Sequence, residues 1–542
     1  MLPSRYWPFA TCVLLMVVSA LALAYTPVAA WGLGIFGALS LLGTWDMVQR
    51  KQALRRNFPV TAHFRYGLES IGPEIRQYFI ESDTVELPFS RQQRAIVYQR
   101  AKNVLDKRPF GTQRNVYDDK YEWMNHSLQP AKIDSHDFRI TIGEGRAQPY
   151  SASVFNISAM SFGSLSANAI RALNQGAKLG GFYHDTGEGS ISRYHREHGG
   201  DLVWEIGSGY FGCRDEHGRF DPERFALNAS NPQVKMIELK LSQGAKPGQG
   251  GILPAAKVSA EIAATRGVPE GVECHSPAAH SAFSTPIELL QFIDRLRDLS
   301  GGKPTGFKLA IGHPWEWFAI AKAMKQTGIL PDFIVVDGGE GGTGAAPLEF
   351  TDHVGAPMRE ALLLVHNTLV GLDLRSKVRL GAAGKIVTAF DIARALALGA
   401  DWVNAARGFM FALGCIQSQS CHTDRCPTGV ATQDPNRQAA LDPDDKAARV
   451  ANFHRNTLVA LKELLAAAGL RHPLELGPEH IIRRVSSTEV RSLAKLHHFV
   501  PQGQLLEAVP EHAVFQVFWD QARAESFSPP PKAAEMQASK QQ

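Results

Sequence analysis

The sequence predicts an α/β protein: a (β/α)8 TIM barrel with an N-terminal transmembrane helical hairpin and a helical C-terminal extension. Three observations lead to this fold class. An uncharged stretch runs from Tyr6 to Trp45. Eight short apolar runs, each ending in glycine or small polar residues, then alternate with alanine- and leucine-rich stretches. After Gln433, apolar residues recur at helical spacing.

The N-terminal segment, residues 1–48, is long enough for two crossings of a hydrocarbon core about 30 Å thick, at roughly 20 residues each. Pro27 breaks a continuous helix and places the turn at Thr26–Ala30. The turn carries no charge, whereas basic residues follow the second span at Arg50, Lys51, Arg55 and Arg56. The positive-inside rule therefore predicts an inner- or plasma-membrane anchor with a cytoplasmic catalytic domain.

A cleaved secretory signal ending at Ala22-Leu23-Ala24 is the alternative for this segment. Cleavage there would leave the second span, and its basic flank would still hold the large domain in the cytoplasm. A cytoplasmic domain keeps its thiols reduced, so disulfides are not expected.

The overall charge does not support nucleic acid as a partner, and none is expected. The formal net charge is +4, from 57 basic and 53 acidic residues, and no basic stripe is interleaved with aromatic residues.

Residues 49–150 show no clean period and are interpreted as an irregular cap or linker. Residues 434–525 are predicted to form the helical extension, with one long helix capped by Gly469. The tail, residues 526–542, is expected to be disordered.

The barrel is predicted to span residues 151–433. Strands that alternate with helices imply a parallel sheet, and eight units over roughly 270 residues fit a barrel better than an open sheet. Catalytic groups are then expected at the carboxyl ends of the strands. The eight runs are SASVFNISAMSFGSLS, GGFYHDTGEGS, DLVWEIGSGYFG, VKMIELKLSQGAKPGQGG, GFKLAIGH, DFIVVDGGEGGTGAAP, KVRLGAAGKI and DWVNAARG.

Two glycine-rich strand ends late in the barrel indicate a phosphate site. DGGEGGTGAAP (Asp337 to Pro347) and LGAAGK (Leu380 to Lys385) present backbone amides with no side chains in the way. TIM barrels often bind phosphate with the loops after strands seven and eight. Tight turns are the alternative for a single glycine pair, but two such loops in this order favour a phosphorylated cofactor or substrate.

Cationic residues mark two further places. Lys308 lies alone on an apolar strand, where it either stabilises negative charge on a reduced flavin or extends its ammonium to water. The segment SQGAKPGQGGILPAAKVSAEIAATRG carries Lys246, Lys257 and Arg266 on a glycine-rich loop. Such cations suit a dicarboxylate substrate, although ordinary surface lysines would give the same pattern.

Three of the six cysteines lie in GCIQSQSCHTDRCPTGVATQ, at Cys415, Cys421 and Cys426. Their C-x5-C-x4-C spacing matches neither zinc ribbons nor bacterial ferredoxins. Zinc with His422 as fourth ligand is one interpretation. A cuboidal iron–sulfur cluster that lacks one iron is the other, since it needs three thiolates, and Pro427 follows the last cysteine as in Fe–S sequences.

These strings resemble the FMN-binding synthase domain of glutamate synthase. They occur in the order of that family over about half of the chain, and the cysteine string is the most specific of them. The matching strings are SAMSFGSLS (Ser158 to Ser166), TGEG (Thr186 to Gly189), QGAKPG (Gln243 to Gly248), GGTGA (Gly341 to Ala345) and ALGC-x5-CHT-x2-CPTGVATQ (Ala412 to Gln433).

The resemblance implies reductive amination of 2-oxoglutarate by an oxidoreductase with FMN and a [3Fe-4S] cluster held by Cys415, Cys421 and Cys426. It implies that Lys246, Arg266 and Glu188 act on the keto acid. The residues implied in FMN binding are Ala159, Met160 and Ser161 at a strand end, Lys308 near the polar edge of the flavin, and Gly341, Gly342, Thr343, Gly384, Ala406 and Arg407 around the phosphate.

The chain also departs from the family pattern. No glutaminase domain is recognised, so ammonia or an amine is expected from solution or from a partner, and Gln249 and Ile252 replace an acid and an amide in the keto-acid loop. An N-alkylglutamate synthase-like enzyme and a membrane-tethered flavin and Fe–S electron-transfer protein are the alternative functions. No dinucleotide fingerprint follows a strand, which indicates a ferredoxin-like protein or separate reductase as electron donor.

Overall fold

A computed structural model of the chain describes residues 3–49, 52–84 and 87–529. The chain divides into two compact units, residues 1–86 and residues 87–542. Each is described separately below. Arg50 and Lys51 of the basic flank, and residues 530–542 of the predicted disordered tail, lie outside the described residues.

The N-terminal unit begins with a helical hairpin, as the sequence predicts. Its helices are Trp7–Ala22, entered through the short 3-10 helix Ser4–Tyr6, and Ala29–Val48. The segments Ser4–Ala22 and Ala29–Val48, of 19 and 20 residues, are long and apolar enough to cross a bilayer by length and composition. Asp46 ends the uncharged stretch, and its buried carboxylate accepts hydrogen bonds from the backbone N–H of Val60 and from Nε2 of His63.

Residues 49–150 are more helical than the sequence predicts. The irregular segment expected there contains the helices Ala53–Asn57, Thr61–Ile75 and Arg91–Ala101 and the π-helix Arg76–Ile80. The third helix was missed because its buried face includes Arg94 and Arg100 beside Val97, so an apolar stripe is not visible in the sequence. The part from residue 102 to 150 is largely irregular, apart from short strands.

The large unit contains a closed barrel of eight parallel strands, one from each predicted run. We number them β1 to β8 in chain order, and neighbours in this order are hydrogen-bonded, with β8 closing on β1. The strands are β1 (Phe155–Ile157), β2 (His184–Asp185), β3 (Leu202–Ile206), β4 (Val234–Lys240), β5 (Thr305–Leu309), β6 (Phe333–Asp337), β7 (Arg379–Ala383) and β8 (Trp402–Ala405).

Helices follow the strands and cover the barrel. Several begin at an N-cap that the sequence supplies, for example Ser166, whose hydroxyl accepts from the N–H of Ala169. The helices are Ala167–Gly180, Arg193–Arg196, Pro222–Ala229, Ala260–Arg266, Pro286–Leu299, Pro314–Thr327, Leu348–His353, Met358–Gly371, Ala389–Ala397 and Arg407–Leu413.

The C-terminal extension is helical, with Pro443–Ala468 as its long element. Gly469 ends this helix with φ of +81°, as predicted. The helix packs on Ala167–Gly180, where a Cβ at Gly176 would lie 2.5 Å from a methyl carbon of Val450. The smaller helices are Pro435–Ala439, Leu493–Leu496, Gln504–Glu507 and Ala513–Phe518.

Among the described residues, three small antiparallel sheets lie outside the barrel. Glu122–Met124 pairs with Ile481–Arg484, which also pairs with Val490–Ser492. Arg139–Ile142 pairs with Tyr150–Ser153 just before β1. Ile252–Leu253 pairs with Cys274–His275 in the long connection after β4, which also contains the 3-10 turn Ala255–Lys257.

Candidate active site at the barrel mouth

Two glycine-rich loops meet where β4 and β6 end. The N–H of Gly244 donates to Oδ2 of Asp337 at 2.9 Å. A Cβ at Gly244 would collide with the carbonyl oxygen of Gly338, so the two backbones touch. The ammonium of Lys246 then donates to the carbonyl oxygen of Ala345 at 3.0 Å. The predicted keto-acid loop and the predicted phosphate loop therefore form one wall of the barrel mouth.

A buried cluster of one carboxylate and three cations lies beside this wall. Oε1 of Glu188 is 2.9 Å from Nζ of Lys240, at the end of β4, and Oε2 accepts from the hydroxyl of Ser276 at 3.3 Å. Lys246 and Arg266 also act on this carboxylate electrostatically. Gly207 and Gly251 have no room for a Cβ because Glu188 occupies the space, which fixes its position.

The titration behaviour follows from this charge pattern. Burial alone would raise the pKa of Glu188, but Lys240, Arg266 and Lys246 together lower it to about 2. Burial lowers the pKa of Lys246 to about 8, with Glu188 opposing the shift and Lys240 adding to it. The cluster thus carries more positive than negative charge near neutral pH, which suits an anionic ligand.

The strand end after β1 joins the same cluster. Nη2 of Arg266 donates to the hydroxyl of Ser161 at 3.3 Å and to the carbonyl oxygen of Phe162 at 3.2 Å. Gly187, with φ of +64°, packs on the backbone of Ser161, where a Cβ would lie 2.7 Å from its nitrogen. Of the three predicted flavin-lining residues, Met160 is buried, and Ala159 and Ser161 are half-buried.

The predicted phosphate residues come together around Glu340. Nη2 of Arg407 donates to the carbonyl oxygen of Glu340 at 2.7 Å, and a Cβ at Gly342 would lie 2.9 Å from Nε of Arg407. A Cβ at Gly384 would lie 3.3 Å from the carboxyl carbon of Glu340. Burial lowers the pKa of Arg407 to about 10, so the guanidinium stays charged near neutral pH.

The rest of this phosphate loop is open. Gly341 donates its N–H to the carbonyl oxygen of Gly338 at 2.8 Å, while Gly342 and Thr343 are exposed. Ala406 is half-buried and forms the N-cap of the helix that starts with Arg407. Exposed loop amides next to a guanidinium fit a phosphate group. The carboxylate of Glu340 is already bound by the N–H of Met358 at 2.9 Å, so it belongs to the wall of this cradle.

Lys308 lies inside the barrel rather than at the strand edge. Its ammonium is paired with the carboxylate of Glu205 and lies 3.5 Å from Oε1 of Glu238. Burial alone would lower the pKa of Lys308, but the surrounding carboxylates raise it well above its ordinary value. The interpretation of Lys308 as a lysine that extends to water is therefore wrong; its contact with a flavin stays a prediction.

The three cysteines lie in one loop of the large unit, and this loop forms hydrogen bonds with other parts of that unit. The hydroxyl of Tyr98 donates to the carbonyl oxygen of Cys415 at 2.6 Å. Cys426 is buried, Cys415 and Cys421 are half-buried, and His422 is exposed. Burial raises the pKa of Cys415 to about 12 and that of Cys421 above its ordinary value, and the thiols act on one another electrostatically.

Cys426 has the environment of a thiolate. Burial opposes ionisation, but the hydroxyl of Thr428 and backbone amides of the loop lower its pKa below the ordinary value. A tetrahedral zinc site would bring thiolates to about 3.8 Å from one another, because Zn–S bonds are about 2.3 Å. In the described part of the chain, the group whose ligand atoms lie within 4.8 Å of one another is Asp185, Glu205 and Glu238, and not the cysteines. The metal that these cysteines hold, zinc or an iron–sulfur cluster, stays a prediction.

Two side chains connect the cysteine loop to the barrel mouth. Nζ of Lys257 donates to the carbonyl oxygens of Ser164 and Ala431 at 2.9 and 3.0 Å. Nε2 of Gln433 donates to the carbonyl oxygens of Gly163 and Leu165 at 3.0 and 2.9 Å. The loop after β1, the keto-acid loop and the cysteine loop are therefore held together by direct hydrogen bonds.

Comparison with known proteins now identifies the family. Residues 101–471 match the conserved region in glutamate synthase. The chain belongs to the glutamate synthase family. It is 39% identical over 514 residues to the glutamate synthase large subunit-like protein YerD of Bacillus subtilis (strain 168), covering 86% of this chain and 98% of that protein. The family makes this chain a glutamate synthase-like oxidoreductase.

Other relatives match over a shorter part of their length. An archaeal glutamate synthase (NADPH) of Methanocaldococcus jannaschii is 38% identical over 315 residues, which is 58% of each chain. The chain thus spans little more than half of that relative. A solved flavocytochrome b2 variant is similar in structure with a TM-score of 0.41 at 12% identity, covering 82% of this chain and 92% of its own, which is too distant to support a functional statement.

The structure of this glutamate synthase-like chain brings Glu188, Lys246 and Arg266 into one cluster and Gly342, Gly384 and Arg407 into another. Sequence reasoning missed Lys240, Glu205 and Glu238. The strand VKMIELK gave a signal, since it places Glu238 and Lys240 two residues apart on one face of a strand that is buried on both sides. A charged residue on such a strand needs a partner, which for Lys240 is Glu188.

Proposed function

We propose that the chain is a membrane-anchored enzyme that reductively aminates 2-oxoglutarate, or a similar 2-keto acid, using FMN and a [3Fe-4S] cluster. The observation that carries the proposal is the buried group of Lys240, Lys246 and Arg266 around the single carboxylate of Glu188. Three cations facing one carboxylate leave two positive charges, which a dicarboxylate neutralises.

The chain's own residues then bind and orient the keto acid. Lys246 and Arg266 would hold its two carboxylates, while Glu188, ionised throughout the physiological range, keeps Lys240 in place. Fixing both ends of the substrate sets the position of the carbon that reacts. Burial of this cluster excludes water, which protects an imine formed with ammonia from hydrolysis.

The hydrogen-bond donors at the barrel mouth fit the phosphate group of FMN. Arg407, the exposed amides of Gly342 and Thr343, and Gly384 would hold the phosphate, with Gly341 and Ala406 completing the turns. Ala159, Met160 and Ser161 would lie along the flavin, and Lys308 would face its polar edge. When bound there, FMN supplies hydride to the substrate.

The ligands that the cysteine loop provides fit the chemistry of a [3Fe-4S] cluster. Cys415, Cys421 and Cys426 provide three thiolates, and the amides around Cys426 stabilise negative charge on sulfur. A bound cluster would accept electrons one at a time from a ferredoxin-like protein or a separate reductase. Lys257 and Gln433 keep this loop against the strand end predicted to line the flavin.

The membrane anchor is the second part of the proposal. The two N-terminal helices have the length and composition of membrane spans, and the basic residues that follow them favour a cytoplasmic catalytic unit. Such an anchor would keep the enzyme close to membrane-bound reductants. Ammonia or an amine would come from solution or from a partner.

An assay of the full chain in detergent tests the chemistry. The protein is reduced with dithionite and given 2-oxoglutarate with ammonia, or with methylamine, and amino acid products are measured by mass spectrometry. We expect glutamate with ammonia. If only the N-methyl product forms, the nitrogen substrate is an amine and not ammonia. Absence of both products together with rapid reduction of an added acceptor would contradict the proposal and favour an electron-transfer protein.

A further inference from the structure

The barrel interior holds three carboxylates whose closeness the proposed chemistry does not use. Asp185 on β2, Glu205 on β3 and Glu238 on β4 lie on neighbouring strands. One oxygen from each lies within 4.8 Å of the others. The three residues are 1%, 2% and 2% exposed, so water does not screen their charges.

One cation compensates this group. Lys308 on β5 is paired with Glu205 and is the cation that acts on both Asp185 and Glu238. The other titratable groups that face the cluster are Asp337 on β6, which adds negative charge near Lys308, and the hydroxyl of Tyr183 at the start of β2. If all three carboxylates were ionised, the group would keep a net charge of −2 in a dry interior.

The position of Glu238 shows how this charge is reduced. One oxygen of Glu238 lies within 4.8 Å of an oxygen of Glu205 and of an oxygen of Asp185. Ionised carboxylates only accept hydrogen bonds, so two of them can bond only if a proton lies between them. Oε1 of Glu238 is fully buried and receives no conventional hydrogen bond. The paired ammonium of Lys308 already occupies this group, which disfavours a metal ion there.

We propose that Glu238 carries a proton at neutral pH, which it shares with Asp185 and Glu205, and that this neutral carboxyl leaves the Lys308 ammonium available to the ligand at the barrel mouth. Glu238 is thereby a positioning residue that acts through Lys308. The availability of Lys308 to a ligand rests on the proposed flavin site, whereas the proton on Glu238 does not depend on a bound flavin.

The direction of the pKa shifts agrees with this geometry. Burial raises the pKa of Glu238 well above its ordinary value, and repulsion from Asp185 and Glu205 adds to the effect more than Lys308 offsets it. Burial and Glu205 raise the pKa of Asp185 to about 7. A carboxyl whose pKa is raised in this way is neutral below that pKa and ionises only as the pH rises through it.

The consequence concerns Lys308. With Glu238 neutral, Lys308 is paired with Glu205 alone, and its remaining N–H groups can turn to negative charge that develops above it. With Glu238 ionised, a second carboxylate on the neighbouring strand would hold the ammonium deeper in the barrel. The midpoint potential of a bound flavin should therefore fall more steeply with rising pH than proton uptake by the flavin alone requires. Glu238→Gln, which has the shape of the protonated acid, should remove that additional fall.

Infrared spectroscopy of the full chain in detergent tests the proton directly, whether or not flavin is bound. A protonated carboxylic acid has a carbonyl stretch that is resolved from that of a carboxylate and shifts in D2O. We expect such a band at neutral pH in the wild-type protein, with a component that shifts on carbon-13 labelling of glutamate. The band should be lost in Glu238→Gln, whose fold is checked by circular dichroism.

Glu122→Gln is the matched control. The side chain of Glu122 is 7% exposed, but its carboxylate is paired with Arg359 and Arg394 at 2.8 and 2.9 Å, so its replacement should leave the band unchanged. A wild-type protein without the glutamate band, or a band that persists in Glu238→Gln, would overturn the proposal. If Glu238→Gln fails to fold, a wild-type protein without the glutamate band would still overturn the proposal.

Redox titration of the flavin-loaded chain tests the role of that proton. The flavin midpoint potential of the wild-type protein should fall more steeply with rising pH than that of Glu238→Gln. Equal pH dependence in the two proteins would overturn the link to Lys308. A chain that never binds flavin would contradict the proposed function, yet its infrared band would still report on Glu238.

Discussion

The ammonium of Lys240 lies 2.9 Å from Oε1 of Glu188, although these residues come from the ends of different barrel strands. Both side chains are largely buried, at 10% and 15% exposure, so the pair attracts more strongly than it would at the surface. Lys246 and Arg266 crowd the same carboxylate. Glu188 is therefore the anion that holds three cations together until a substrate arrives.

Substitution Glu188→Gln should destabilise the free protein. It leaves buried cations without a counter-charge, which costs about 3 kcal/mol. The free energy of unfolding in urea, followed by tryptophan fluorescence, measures this loss, and saturating 2-oxoglutarate should restore part of it. In the N-terminal unit, Glu69→Gln breaks the exposed pair with Arg65 and should change stability by less than about 1 kcal/mol. Equal effects of the two substitutions would contradict this account of the cluster.

The affinity for 2-oxoglutarate should fall at alkaline pH. Burial lowers the pKa of Lys246 to about 8, so the ammonium is present below that pH and is lost as the pH rises through it. Above it, the dissociation constant should rise by about tenfold per pH unit. Calorimetric titrations across this range measure it. The Lys246→Met protein should bind 2-oxoglutarate weakly at every pH, and its dissociation constant should show no change of slope near pH 8. If the change of slope remained, another group would be responsible for it.

The barrel was predictable because its signal is local. Each parallel strand is buried on both faces and therefore appears as a short apolar run, and the glycine-rich ends mark the loops of the mouth. All eight runs contain a barrel strand. The helix Arg91–Ala101 was not predictable in this way, since Arg94 and Arg100 on its buried face resemble surface residues.

The candidate site was predictable only in part. Lys246 and Arg266 stand in a motif, but the pairing of Lys240 with Glu188 joins β4 to the loop after β2 and leaves no local pattern. The same holds for Lys308, whose partners Glu205 and Glu238 come from two other strands. Only the closure of the barrel brings these charges together.

Cys421→Ser should remove the iron–sulfur cluster and spare the flavin. The serine hydroxyl is a poor ligand for iron, and the remaining thiolates, Cys415 and Cys426, cannot bind a three-iron cluster by themselves. Iron and sulfide per chain, the visible spectrum and low-temperature EPR after anaerobic purification measure the change. Cys274→Ser alters a buried cysteine outside the loop and should keep the cluster. Zinc in place of iron in the wild-type protein would contradict the cluster assignment.

The membrane topology can be tested with two exposed positions. Tyr25 is 91% exposed in the turn between the two spans and should face the outside, whereas Ser528 near the end of the described chain should face the cytoplasm. In intact cells, a membrane-impermeant maleimide should label Tyr25→Cys, and should label Ser528→Cys only after permeabilisation. The unsubstituted chain controls for the native cysteines. Labelling of both positions in intact cells would reverse the predicted orientation.

Lys257 provides the most direct test of the link between the cysteine loop and the barrel mouth. Its buried ammonium bonds the carbonyl oxygens of Ser164 and Ala431, and burial lowers its pKa while Asp424, Cys421 and Cys426 raise it. Lys257→Met has a similar length but leaves both carbonyl oxygens unsatisfied, at a cost of about 1 to 3 kcal/mol. The cysteine loop should then open more often.

Two measurements follow from this loosened loop. Trypsin should cleave the Lys257→Met protein faster at Arg425, which is exposed in the loop, and the purified protein should contain less iron per chain. Lys303→Met is the matched control, because Lys303 is equally buried and also bonds two carbonyl oxygens, those of Ala229 and Asn231, remote from the cysteines in sequence. It should lose comparable stability but keep its iron. If both variants lost iron equally, general destabilisation would explain the result, and Lys257 would have no particular role in holding the loop.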